Sequence, residues 1–165
     1  MWNAAVMAVL IAVAGIYATR SAQTVDVARQ SQAASVAAEM AMYRNAVVDY
    51  FTANDFNSTT VSTTALKNGG YLKPWTRMSQ QGTPLLWSNW RDANGIIYIY
   101  ATSLPAQNLT GELARLAYNS VFFGLYDSSL PTLQSPVSGD THIPISAISG
   151  KSIPNGAPVW IAMTK

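Results

Sequence analysis

The sequence has no cysteine, one histidine, few charges and no run of basic residues, and each shortage removes a class of function. Without cysteine there is no disulfide framework, no thiol nucleophile and no thiolate metal site. A chain of 165 residues can still fold in an oxidising compartment, because a core of this size needs no covalent staples. His142 has no second histidine or cysteine to share a metal, and no acids fall in a ligand pattern. No nucleophile elbow is present. Gly150, Lys151 and Ser152 spell the end of a phosphate loop, but Ile145 stands where the first glycine should be, and Ile153-Pro154-Asn155-Gly156 follows where a helix should start. The residues therefore predict a protein that is not an enzyme and has no metal or cofactor. Charged residues make up 11% of the chain, against about 25% in ordinary soluble domains. The net charge of +2 is scattered, so no nucleic-acid partner is expected.

What replaces the charges is Ser, Thr, Asn, Gln and small residues, a composition suited to an extracytoplasmic or assembly-embedded protein. Residues 1–19 hold no ionisable side chain except Tyr17, and Arg20 is the first charge. Such a helix would be about 26–28 Å long, just enough to span a hydrocarbon layer. The expected anchor residues are Trp2, Val6, Val9, Leu10, Ile11, Val13, Ile16 and Tyr17, with Trp2 and Tyr17 at the two lipid interfaces. A cleaved signal peptide would need a basic start and small residues before the cut. Cuts after Ala18 or Ala22 instead place Ile16 or Arg20 there. A buried core helix fits less well, because the run is apolar on every side.

From about Ser21 to Ala53 the chain has no Pro or Gly. Val36, Met40, Tyr43, Val47 and Tyr50 recur at spacings of four and three, one face of an amphipathic helix for packing on its own domain or for a dimer seam. Residues 22–35 are poorer in large apolar groups and read as a stalk. A polar loop over residues 54–64 precedes a short helix, capped by Thr63 or Thr64 and stopped by Asn68-Gly69-Gly70. Residues 84–90 and 96–102, apolar and aromatic on both sides of Asp92-Ala93-Asn94-Gly95, predict a β-hairpin whose second strand is covered on both faces. A second helix is expected from Asn108 or Thr110 through residue 126, with Leu113, Leu116, Ala117 and Phe123 facing the core. Residues 127–158 read as a long surface segment with one short strand at 142–148, and residues 158–163 as a closing strand. Trp75, Trp87, Trp90 and Trp160 are expected to fill the core around the hairpin; the other reading is a sugar-binding surface. The fold class is α+β: residues 1–19 form a transmembrane anchor, residues 20–53 a stalk and amphipathic helix, and residues 54–165 an α+β domain with a small antiparallel sheet on which the helix packs.

The order of an N-terminal MWNAAVMAVLIAVAG, then EMAMYRNAVVDYF, ALKNGGYLKPW and IIYIYA resembles the PilM family of type IVb (thin) pilus systems. This is the small inner-membrane PilM of conjugative-plasmid and related pili, not the actin-like cytoplasmic protein of that name. The resemblance implies a single-pass inner-membrane component of the pilus basal body with its domain in the periplasm. Its implied partners are other assembly components: platform, secretin or pilin. It carries no catalytic residues over. A minor pilin or pseudopilin is the nearest alternative by helix-then-sheet order. Mature pilins typically have Glu at the fifth position, where this chain has Ala5.

Overall fold

The computed structural model describes the backbone of residues 2–76, 78 and 86–164, with side chains from residue 25 onward. The elements run in the order α1 (Trp2–Ala53), α2 (Thr63–Asn68), β1 (Trp87–Arg91), β2 (Ile96–Ala101), α3 (Thr110–Leu116), β3 (Phe123–Leu125), β4 (Thr132–Ser135), β5 (Gly139–Pro144), a 3-10 turn (Ser146–Ile148) and β6 (Pro158–Met163). The strands form one antiparallel sheet in the order β1-β2-β6-β3-β4-β5. With the long helix, this is an α+β fold.

Strand register decides what each sheet face meets. Ile99 pairs with Asn89 and with Trp160, and Trp160 pairs with Phe123, so these four share a face. α1 lies on that face. Its Tyr43 hydroxyl accepts a 2.7 Å hydrogen bond from Asn89 Nδ2, its Phe51 ring lies under the Arg91 guanidinium, and its own Arg44 lies over the Trp160 ring. Ala33, Ala37, Met40, Tyr43, Ala46, Val47 and Phe51 are buried, and their spacings of three and four keep one stripe of the helix on the sheet. Residues 25–32 of α1 are exposed, so packing begins at Ala33. On the opposite face lie Trp90 and Tyr98, paired across β1 and β2. The segment after β5 covers it: Ile145, Ile148 and Ile153 are buried, and Lys151 Nζ sits 3.4 Å above the Trp90 ring centre. The apparent phosphate-loop lysine is thus a cation on an aromatic face.

The hairpin forms as expected. Gly95 takes φ +83°, and Asp92 Oδ1 accepts from the amides of Asn94 and Ile96 to close the turn. β2 lies inside the sheet, with its residues from Ile97 to Ala101 buried.

Several expectations are corrected. The cap of α2 is Ser62, whose Oγ accepts from the Ala65 amide; Thr63 is already helical. Gly70, at φ +75°, is the left-handed stop, while Gly69 stays right-handed. The second helix ends at Leu116, not near residue 126. Tyr118 and Asn119 both take φ +54°, which ends the helix, and Phe123 then enters the sheet, where β6 offers hydrogen-bond partners. Residues 127–158 hold two strands rather than one. β4 and β5 form a polar edge hairpin, and Ser146–Ile148 is a 3-10 turn instead of the end of a strand. Short strands with polar outer faces give little alternation to read. Trp87 and Trp160 are buried and Trp90 is half-buried, but Trp75 is 74% exposed. Trp75 lies in a turn with Pro74, outside the helices and the sheet. Among the described residues no helix is long and apolar enough to cross a membrane. The side chains of the expected anchor, Trp2, Val6, Val9, Leu10, Ile11, Val13, Ile16 and Tyr17, lie outside the described residues.

Candidate functional site

Of the expected helix face, Met40, Tyr43 and Val47 are buried in the core, and Val36 and Tyr50 are half-buried against it. Tyr50 meets Phe51 and Tyr71 edge-on, with ring centres 5.4 Å and 5.5 Å apart. These residues are engaged with their own domain. His142 is exposed, sits at φ +57° in β5, and places Nδ1 3.4 Å from Asp140. Among the described residues no three acids or histidines are grouped to hold a metal ion.

Two clusters of buried polar groups serve the fold. Asn89 is fully buried. Its Nδ2 donates to Tyr43 and to the Val61 carbonyl, and its Oδ1 accepts from the Val61 amide. Burial, its largest cause, pushes the Tyr43 hydroxyl up to about 12, opposed by the hydrogen bond with Asn89. Arg91 is 5% exposed; it reaches Asp55 at 2.9 Å and donates to the Phe56 carbonyl and Thr164 Oγ1. It thereby ties the end of α1 to the hairpin and the last strand.

The remaining chemistry gathers where α1, the α3–β3 link and β6 meet. A recess of about 340 Å³ opens there, lined by Arg44, Asn45, Tyr118, Ser120, Phe122 and Trp160 among others. Arg44 lies off the stripe that packs on the sheet and folds its guanidinium over Trp160, 5.0 Å from the ring centre. Phe123 braces that indole edge-on, at 6.4 Å. Arg44 Nε is buried without a hydrogen-bond partner, and among the described residues Arg44 has no ion-pair partner. Partial burial lowers its pKa below the ordinary value. Tyr118 stands at the rim, 93% exposed, with Val121 and Phe122 beside it.

The α3–β3 link is held by its backbone. The Tyr118, Asn119 and Ser120 amides donate to the carbonyls of Arg115, Ala114 and Ala117. Sequence reading missed this surface because it ran a helix through Tyr118. The available signal was Asn119-Ser120, residues that stop helices, followed by the strand-forming run Val121-Phe122-Phe123.

Neither a curated protein nor a solved structure matches the chain. The sequence signature of the PilM family matches residues 8–161, nearly the whole length. That match covers far more than half of the sequence, and the chain belongs to the PilM family.

Proposed function

We propose that this chain is a non-enzymatic inner-membrane component of a type IVb pilus assembly apparatus, acting in the periplasm through contacts with other assembly proteins. The observation that carries the reading is the PilM match over residues 8–161. Membership ties the chain to pilus assembly and to the components that build it. The membrane position rests on residues 2–18, an uncharged segment with aromatic residues at both ends, which lipid solvates better than water does. Residues 20–32 then act as a stalk of about 20 Å, which lifts the packed part of α1 and the sheet away from the bilayer. The partner among platform, secretin and pilin is approached through the domain surface, and a homodimer through α1 is compatible with the same tether.

Deleting the gene is expected to abolish surface pili while pilin is still made and processed; normal piliation in that strain would defeat the proposal. One observation favours a second reading. A long N-terminal helix packed on an antiparallel sheet is also the element order of a pilin. Sheared, purified filaments separate the two, since a minor pilin would be recovered in them and an assembly component would not.

A further inference from the structure

We infer that the Arg44–Trp160 recess, with Tyr118 and Phe122 at its rim, is the docking site for a carboxylate side chain next to an apolar residue on another pilus-assembly protein. Three separate observations meet there. The first is charge: Arg44 is half-buried and stacked, its Nε has no acceptor, and among the described residues no acid answers it. With Nε covered by the protein, the Nη groups are left for a partner, and a carboxylate would meet them with charge-assisted bonds. The second is shape: a concave space of about 340 Å³ admits one acidic side chain, with Asn45 and Ser120 as further polar groups on its wall.

The third is strain. Tyr118 is held at φ +54°, a region that bulky residues avoid, yet its ring is 93% exposed and gives nothing to the core. Asn or Gly would end the helix with less strain. An aromatic ring kept there, with Phe122 also part-exposed, has the character of an interface anchor beside a charged centre. The apolar neighbour of the incoming carboxylate would pack between these two rings.

This inference rests on the pilus-assembly reading, and the test separates the two. A benzophenone amino acid is placed at position 122 of the full-length chain in a piliated strain, with position 137, also exposed, as control. The expected adduct is specific to position 122, joins a different protein of the pilus apparatus, and maps by mass spectrometry to a peptide containing Asp or Glu. Arg44→Gln should reduce its yield about tenfold or more, as loss of an interface centre does, and Arg44→Lys should restore part of it. Tyr118→Asn should reduce the yield comparably while the melting temperature stays level or rises. An adduct only to a second copy of this chain, only to lipid, or to no partner would overturn the docking site. So would undiminished yield in Arg44→Gln, or a fall in melting temperature in Tyr118→Asn, which would make that ring a structural element. Normal pili in the gene deletion would defeat the assembly reading itself. Lost pili in the deletion, with normal pili in both Arg44→Gln and Tyr118→Asn, would defeat the docking site alone.

Discussion

Single residues do most to define how α1 sits on the sheet. Asn89 has no exposure and spends both ends of its amide, on Tyr43 and on Val61. Tyr43→Phe removes one acceptor from a buried donor and should cost about 1–3 kcal/mol, measured by denaturant unfolding of the detergent-purified chain. The same hydroxyl sets an alkaline limit. The unfolded chain releases this proton near 10, whereas the folded chain holds it to about 12. Stability from this group is therefore complete below pH 10 and is lost as pH rises towards 12, by about 2–3 kcal/mol. Tyr43→Phe should flatten that decline; an unchanged slope would mean another group governs it. Gly124 is fixed by close approach rather than by backbone angle: a Cβ there would lie 2.6 Å from the Gln134 carbonyl oxygen and 2.6 Å from Leu133 Cγ. Gly124→Ala should force β3 and β4 apart and cost about 1–3 kcal/mol by thermal unfolding.

Elements were legible in proportion to their length and burial. The end of α1 at Ala53, the hairpin from Trp87 to Ala101 and the closing strand Pro158–Met163 all follow from pattern, because each has strong periodicity or a turn with its own chemistry. The start of α3 at Thr110 and its buried Leu113 and Ala117 also follow, but the stretch from Ala117 to Pro144 did not. Two successive left-handed residues, Tyr118 and Asn119, cut a run of helix-compatible residues in half, and Tyr118 has no propensity that announces this. The Arg44 surface was hidden for the same reason, because it depends on where β3 begins and on which β6 ring lies beneath the helix. Within α1, the exposed residues 25–32 and the buried stripe from Ala33 to Phe51 should respond differently to change. Val27→Ser, on the exposed part, should leave the melting temperature unchanged, while Met40→Ala should cost about 2–5 kcal/mol through the cavity it leaves.

At the scale of the whole molecule, the proposed tether and the sheet domain are testable apart. If residues 2–18 anchor it, the full chain should stay with membranes through a high-salt wash and come off with detergent, and removal of residues 1–19 should release the rest. The lone histidine is exposed and peripheral. His142→Ala should leave piliation intact.

β6 is the last strand in sequence, yet it lies between β2 and β3 in the middle of the sheet. Until it arrives, β1-β2 and β3-β4-β5 have no strand joining them. A chain emerging from its N-terminus can thus complete this sheet only when β6 slots between its two neighbours. The fold carries its own delay, set by the order in which the ribosome makes its parts.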